Sequence, residues 1–270
     1  MAAPSTALTI AGSDSGGGAG IQADLKTFLG CGVHGMSAVT AVTVQNSIGV
    51  SGFYELPPHA VAEQIESVVT DIGVDAAKTG MLASAAIMAA VAKTVRRLAV
   101  APLVVDPVAA SQHGDPLLRP DAIDALRTEI IPLATLVTPN VGEVRLLTGV
   151  EVSGPEDVLE AARRLHALGA DWVLVKGGHR SAPMRPICSM TATGHMSSPR
   201  PGRTRSTLTA RATPSRPRSV PRPARGSDMP EAVRLGKAYV TQAITSSYPL
   251  GSGLGPVGHF WRIRDWPGES

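Results

Sequence analysis

Short runs rich in β-branched residues alternate with longer amphipathic runs along most of this 270-residue chain. Strands that alternate with helices are joined by crossover connections, which place the strands parallel to one another in one sheet. Only 3% of the residues are aromatic, so the core must be packed mainly from Ala, Val, Leu and Ile. We therefore predict a single α/β domain with a mainly parallel sheet.

The positions of these runs predict six strands and seven helices. The strands are expected at residues 7–11, 37–44, 75–78, 103–107, 136–138 and 172–176. The helices are expected at residues 20–30, 58–72, 84–98, 120–131, 141–147, 155–168 and 230–246. Pro120, Pro155 and Pro230 stand at the starts of three of these helices, where the missing N–H group is not needed.

Composition argues against a membrane-spanning protein and against a disulfide-stabilised one. No apolar run approaches the roughly 20 residues of a membrane-spanning helix. The first residues lack a basic region followed by an apolar stretch. Two cysteines, Cys31 and Cys188, cannot form a disulfide scaffold in a chain of this length. We therefore expect a cytoplasmic protein with no membrane partner.

The basic charge is concentrated in one stretch, the arginine-rich segment (residues 181–226). It contains nine Arg and eight Pro but no Asp, Glu or Lys, and the other 224 residues carry a net charge of −6. Only three of its residues are Ile, Leu, Val or aromatic. The apolar surface that they could bury is too small to offset the conformational entropy lost when the segment becomes ordered. We predict that it is disordered within the domain. Clustered Arg can bind nucleic-acid phosphates, but the absence of interleaved aromatic residues argues against a nucleic-acid partner.

Glycine and amide side chains follow the first two predicted strands, where ligands collect in parallel sheets. The run Gly12-Ser-Asp-Ser-Gly-Gly-Gly-Ala-Gly20 leads into a helix, so its N–H groups could approach an anion or a flat ligand. A tight strand-to-helix turn explains it equally well. Gln45 can donate and accept hydrogen bonds at once, which suits a heterocycle with a ring nitrogen beside an amino group. Gln45 and Asn46 could instead cap a turn.

Charged side chains follow later strands. Asp106 ends the run Leu103-Val-Val-Asp-Pro107, and Glu143 follows Thr138 by five positions. Neighbouring carboxylates can hold Mg²⁺, usually through waters, while phosphate oxygens complete the octahedron. Alternatively, Asp106 starts a turn and Glu143 stabilises a helix N-terminus. Lys176-Gly-Gly-His179 offers a cation and flexible backbone to a phosphate, although such a sequence is also a common turn.

Together these motifs carry a family resemblance. They are Gly12-Ser-Asp-Ser-Gly-Gly-Gly-Ala-Gly-Ile-Gln-Ala-Asp24, Thr43-Val-Gln-Asn46, Lys78-Thr-Gly-Met81, Val105-Asp-Pro107, Thr138-Pro-Asn-x-x-Glu143 and Val175-Lys-Gly-Gly-His179. The series resembles the hydroxymethylpyrimidine and phosphomethylpyrimidine kinases of thiamine biosynthesis, in the ribokinase-like superfamily, over residues 6–180 and again over 226–261. The resemblance implies a three-layer α/β/α fold, ATP and Mg²⁺ as cofactors, a small-molecule pyrimidine substrate and a homodimer.

The resemblance also implies roles for individual residues. It assigns the first glycine-rich run to the floor of the pyrimidine pocket and not to a nucleotide phosphate. At the pyrimidine it implies Gly12, Asp24, Val44, Gln45, Met81 and Val108. At the phosphates it implies Asp106 and Glu143 for Mg²⁺, Asn140, Lys176 and Gly177 for ATP, and Lys176 for catalysis.

The arginine-rich segment departs from this pattern. The family carries Gly-Thr-Gly-Asp or Gly-Thr-Gly-Cys before its last helices, where backbone N–H groups form an anion hole, and nothing in the segment matches. One set of codons that encodes residues 208–213, CTC-ACG-GCA-CGG-GCG-ACC, reads His-Gly-Thr-Gly-Asp when the frame is shifted. In the same frame any codons for Met190-Thr191 give an Asp codon. We hypothesise a local frameshift, entered near residue 181 and left near residue 225. The alternatives to a working kinase are a non-catalytic pyrimidine-binding relic and a pyridoxal-kinase-like enzyme.

Overall fold

A computed structural model describes residues 3–109, 118, 120–177 and 229–262. Its strands are β1 (Thr6–Ser13), β2 (His34–Gln45), β3 (Val50–Glu55), β4 (Ala76–Thr79), β5 (Leu103–Val105), β6 (Leu136–Val137) and β7 (Trp172–Val173). They form one sheet in the order β3-β2-β1-β4-β5-β6-β7, parallel throughout except for the antiparallel β2–β3 hairpin. The predicted mainly parallel α/β fold is confirmed.

Helices flank this sheet and connect its strands. They are α1 (Gly20–Gly30), α2 (Pro58–Asp71), α3 (Ala85–Arg97), α4 (Pro120–Ala125), α5 (Val141–Thr148), α6 (Pro155–Ala167) and α7 (Met229–Thr245). A π-helical stretch, Leu126–Ile130, and a 3-10 turn, Ile131–Leu133, continue α4. The predicted helix over residues 120–131 is therefore confirmed in position, and its hydrogen-bond spacing changes from α to π to 3-10 along its length. A further 3-10 turn spans His259–Arg262.

The core lies between the sheet and its helices, where sequence periodicity places the aliphatic side chains. Leu8 and Ile10 of the central strand β1 are fully buried. Helix α3 buries Ile87, Val91 and Val95, which recur every four residues and so share one face. Each such side chain contributes about 1.5–3 kcal/mol on leaving water.

The sequence did not predict β3. Its run Val50-Ser-Gly-Phe-Tyr-Glu55 has a glycine at its centre and no fully buried residue, so it lacks the apolar alternation of a half-buried strand. Among the described strands it pairs only with β2, at the edge of the sheet. The arginine-rich segment lies outside the described residues, so its predicted disorder and the single-domain organisation stay predictions.

Candidate active site

The order of the strands creates a crevice between β1 and β4. From β1 the chain moves to β2 on one side, whereas from β4 it moves through β5 and β6 to β7 on the other. Parallel sheets bind ligands at such a reversal, beyond the carboxyl ends of the strands. Gly12, in β1, and Met81, just after β4, meet there: a Cβ atom placed on Gly12 would lie 3.4 Å from the Met81 Sδ atom. Even a methyl group on Gly12 would contact Met81, so these two residues lie close together at the reversal.

The glycine-rich loop after β1 binds an anion from its own chain. The buried carboxylate of Asp14 accepts hydrogen bonds from the N–H groups of Gly16 at 2.7 Å, Gly18 at 2.8 Å and Ala19 at 2.7 Å. These three N–H groups are therefore engaged and do not face a nucleotide phosphate. The loop instead forms a fixed wall beside the crevice.

A bulge in β2 decides which of its side chains face this loop. Ala11 pairs with Val39 but Ser13 pairs with Val42, so β2 contains one extra residue between these pairs. An extra residue exchanges the two faces of a strand from that point onward. As a result Thr43 is buried, whereas Val44 is 50% exposed.

Gln45 ends β2 on the same face as Thr43 and is half-buried. The Ser15 hydroxyl holds its backbone twice: Ser15 Oγ donates to Gln45 O at 2.7 Å and accepts from Gln45 N at 2.9 Å. The side-chain amide of Gln45 lies 3.2 Å from Thr43 Oγ1. Asn46 instead caps the hairpin turn by accepting from the N–H groups of Ile48 and Gly49. Only Asn46 therefore takes the turn-capping role that was open for both amides.

A glycine-rich stretch near the C-terminus, residues 249–256, packs against this turn. The Gly253 N–H group donates to Ser47 Oγ at 3.2 Å. A Cβ atom on Gly18 would lie 3.6 Å from Pro256, so the stretch also reaches the glycine-rich loop. It therefore fixes the positions of both loops that border Gln45.

The other residues implied at the pyrimidine have different settings. The Asp24 carboxylate accepts from Thr9 Oγ1 at 2.6 Å and from Lys78 Nζ at 2.8 Å, which joins α1 to β1 and β4. Val108 packs partly buried against the core. Val44 points away from the Gln45 side of β2, so a role for it in the pocket depends on its backbone. Roles for these three residues at the substrate stay predictions.

Asp106, Thr138 and Lys176 meet at the carboxyl ends of β5, β6 and β7. Lys176 Nζ donates to Asp106 Oδ1 at 2.7 Å, and Thr138 Oγ1 lies 3.4 Å from the same oxygen. Asp106 Oδ2 has no hydrogen-bond donor within the described part of the chain. The Lys176 side chain is 41% exposed and that of Asp106 is 26% exposed, so both charges can meet a ligand from solvent.

Asn140 and Glu143 form a capping box at the start of α5. The Asn140 side chain accepts from Glu143 N at 2.9 Å, and Glu143 Oε2 accepts from Asn140 N at 2.8 Å. Glu143 therefore stabilises a helix N-terminus, which was one of its two interpretations, and its role at Mg²⁺ stays a prediction. A single bridge between the backbones of Asn140 and Lys176 extends the sheet beyond β6 and β7. Gly177, implied at the ATP phosphates, directly follows Lys176 in the chain.

Glu143 is 5% exposed. Burial raises the pKa of its carboxyl group, and the nearby Lys176 ammonium group opposes this rise only in part. Because the folded-state pKa lies above that of the unfolded chain, the folded protein binds protons more readily at this site. The resulting stabilisation is fully present below the unfolded pKa and is lost as the pH rises through the folded pKa.

We therefore expect Glu143→Gln to unfold at a urea concentration at least as high as wild type at neutral pH, because Gln keeps an oxygen for Asn140 N and carries no charge. The advantage of the variant should shrink as the pH falls. Glu143→Ala is the control, since it loses the capping box at a cost of about 1 kcal/mol. If both variants were destabilised equally at neutral pH, burial of the charge would not be the cost that we infer.

Two kinds of feature are absent from the described ranges. Among residues 3–109, 118, 120–177 and 229–262, no three or more His, Cys, Asp or Glu side chains form a group that could hold a metal ion. In the same ranges no helix is both long and apolar enough to cross a membrane.

Comparison with known proteins identifies the family. The sequence profile of the phosphomethylpyrimidine kinase family matches residues 14–258. The chain belongs to this family. The hydroxymethylpyrimidine/phosphomethylpyrimidine kinase of Mycobacterium tuberculosis is 52% identical to this kinase over 274 residues, which cover 96% of this chain and 95% of the relative. The resemblance predicted from the motifs is confirmed.

Solved structures agree with the ribokinase-like fold. A phosphomethylpyrimidine kinase from Clostridium difficile is 43% identical, with a TM-score of 0.63 over 66% of this chain and 77% of that chain. An ADP complex of Bacillus subtilis pyridoxal kinase is 34% identical, with a TM-score of 0.76 over 96% of this chain and 98% of that chain. The kinase thus shares its scaffold with pyridoxal kinases, and its sequence is more similar to the pyrimidine kinases.

Sequence reasoning missed four residues that shape this kinase's site. Asp14 precedes a glycine run, which is a signal for a side chain that binds its own loop. Lys78 was noted only as part of a strand-end motif. Ser15 and Thr43 gave no usable signal, since their contacts with Gln45 depend on the pairing of β1 with β2.

Proposed function

We propose that this kinase transfers the γ-phosphoryl group of ATP to the hydroxymethyl oxygen of 4-amino-5-hydroxymethyl-2-methylpyrimidine, and then phosphorylates the monophosphate to the diphosphate, in thiamine biosynthesis. The observation that carries the proposal is the order of the implied site residues along the carboxyl ends of the strands. Gly12, Gln45 and Met81 lie at the ends of β1, β2 and β4, and Asp106 and Lys176 lie beyond β5 and β7.

This order supports a substrate that lies across the strand ends. Neighbouring strands are about 4.8 Å apart, so a ring held beside β1 and β4 has its reacting hydroxyl within a few strands of the charged groups. In-line phosphoryl transfer depends mainly on positioning and on stabilisation of charge. Lys176 would neutralise charge on the phosphate oxygens, while Asp106 keeps the Lys176 ammonium group in place through their 2.7 Å contact.

ATP as phosphoryl donor fits the kinase family and the ADP complex of the Bacillus subtilis relative. For the metal, the chemistry of the donor set supports Mg²⁺, because carboxylate oxygens are its preferred protein ligands and phosphates and waters complete its coordination. Asp106 and Glu143 would hold it. Bound there, Mg²⁺ would neutralise charge on the phosphate oxygens.

The pyrimidine is favoured over pyridoxal as the substrate of this kinase. The Mycobacterium tuberculosis relative named for the pyrimidine substrates is 52% identical, against 34% for the pyridoxal kinase from Bacillus subtilis. Gln45 supports the same choice, since one carboxamide can accept from the 4-amino group and donate to the adjacent ring nitrogen.

We expect Gln45→Ala to weaken pyrimidine binding by about 5- to 150-fold, because a buried polar edge left without its partner costs about 1–3 kcal/mol. Gln45→Glu should weaken it as well, since a carboxylate cannot donate to the ring nitrogen. Titration calorimetry of the full chain with the pyrimidine measures both losses. Unchanged affinity in both variants would overturn the assignment of the pocket.

Two further expectations accompany the proposed function. The homodimer is supported by an exposed apolar face on the β2–β3 hairpin, where Val42 is 44% exposed and its register partner Tyr54 is 73% exposed. It stays a prediction, as does the cytoplasmic location.

A further inference from the structure

We infer that Thr43 is a positioning residue that sets which end of the Gln45 carboxamide donates and which end accepts, and thereby the orientation in which the pyrimidine ring binds. The inference rests on the proposed function, because it concerns how the Gln45 carboxamide recognises the pyrimidine.

The argument starts from the single proton of the Thr43 hydroxyl group. Thr43 Oγ1 lies 2.9 Å from Ser13 O and 3.2 Å from the Gln45 side-chain atom assigned as Oε1. A backbone carbonyl oxygen can only accept, so the hydroxyl proton belongs to the shorter contact with Ser13. The lone pairs of Thr43 Oγ1 then face Gln45. With Oε1 in that position, both contacts would need the same proton.

Half a turn of the Gln45 amide removes this conflict. The oxygen and nitrogen ends of a carboxamide have nearly the same shape, so the exchange moves no other atom. Nε2 then donates one N–H to Thr43 Oγ1, and each contact has a proton of its own. The second N–H of Nε2 and the Oε1 atom remain for a ligand. Because Thr43 is buried and tied to Ser13, it imposes this arrangement before the substrate binds.

A fixed amide determines how the substrate lies. The ring nitrogen beside the amino group accepts from Nε2, on the side of Thr43, and the amino group donates to Oε1 on the far side. The reacting hydroxymethyl group is attached next to the amino-bearing carbon, so it also lies on the far side. With the amide reversed, the ring would have to turn over to keep both hydrogen bonds, and the hydroxymethyl group would move to a different place.

Two ligands of opposite hydrogen-bonding polarity test this inference. The 4-amino-5-hydroxymethyl-2-methylpyrimidine presents a donor beside an acceptor, whereas its 4-oxo analogue presents an acceptor beside an N–H donor. Titration calorimetry on the full chain gives the ratio of their dissociation constants. We expect wild type to prefer the amino compound, and Thr43→Val, which has the same shape without the hydroxyl, to reduce that preference by about tenfold. Thr43→Ser, which keeps the hydroxyl, should preserve the preference.

The ratio separates positioning from a purely structural role. A structural defect weakens the binding of both ligands alike. An unchanged ratio of the two dissociation constants in Thr43→Val would therefore overturn the inference. Thr43→Ala removes the same hydroxyl and carries the same expectation if Thr43→Val does not fold. Equal affinity of wild type for the two ligands would overturn the inference without any variant. If wild type bound neither ligand, the proposed function would fail first, and the inference with it.

Discussion

Replacing residues 181–225 by the translation of the shifted reading frame is expected to raise phosphoryl transfer to the pyrimidine by roughly 10²- to 10³-fold for each anion-hole donor that it restores. The chain with this replacement is called the repaired chain below. The sequence as written lacks the Gly-Thr-Gly-Asp motif, whose backbone N–H groups the family resemblance places opposite the developing charge. Each donor lost from such an anion hole costs about 3–4 kcal/mol in the transition state. Turnover at saturating ATP, compared between the two chains, measures the gain.

A chain with a scrambled repaired segment is the matched control, because it has the same composition and length without the motif. It should turn over no faster than the chain as written. If the chain as written already matched the repaired chain, the frameshift hypothesis would be wrong and the anion hole would have to come from other residues.

In the repaired chain, Asp106→Asn should lower turnover by at least about 100-fold and leave pyrimidine affinity within about twofold. Asn has nearly the shape of Asp but no charge, so it weakens the proposed Mg²⁺ site and replaces the negative charge 2.7 Å from the Lys176 ammonium group by a neutral amide. The pyrimidine contacts neither group in the proposed arrangement. Turnover and calorimetric affinity, measured on the same preparation, separate the two effects.

Asp75→Asn is a control for this variant. The Asp75 carboxylate accepts from Thr6 N at 2.9 Å. It lies just before β4, at the amino ends of the strands, whereas Asp106 lies at their carboxyl ends. Its loss removes a hydrogen-bonded carboxylate without touching the phosphate end, so turnover should be nearly unchanged. Equal losses of turnover and affinity in Asp106→Asn would mean that Asp106 has a structural role.

Much of the part of the site that we propose binds the phosphates could be predicted from the sequence, because local sequence signals indicate where its residues lie. Asp106 and Lys176 each stand between a short apolar run and a proline or glycine, and Asn140 directly follows the proline after such a run. Such runs and the residues that follow them predict strands and their ends. In a parallel sheet these ends share one edge. Residues 70 positions apart, such as Asp106 and Lys176, therefore meet.

The surroundings of Gln45 could not be predicted, because they depend on how distant strands pair. The extra residue in β2 is a property of its register with β1, and it determines that Thr43 is buried and Val44 exposed. The reversal between β1 and β4 depends likewise on strand order. Neither the bulge nor the strand order produces a periodic pattern in the sequence from which it could be predicted.

The central claim, phosphorylation of the pyrimidine by this kinase, is tested most directly by a competition assay. The repaired chain is given γ-labelled ATP with equal concentrations of the hydroxymethylpyrimidine and pyridoxal, and the labelled products are separated over time. We expect label in the pyrimidine monophosphate first and in the diphosphate later, with pyridoxal phosphate formed at least about tenfold more slowly. Faster labelling of pyridoxal, or release of labelled phosphate with neither compound labelled, would contradict the claim.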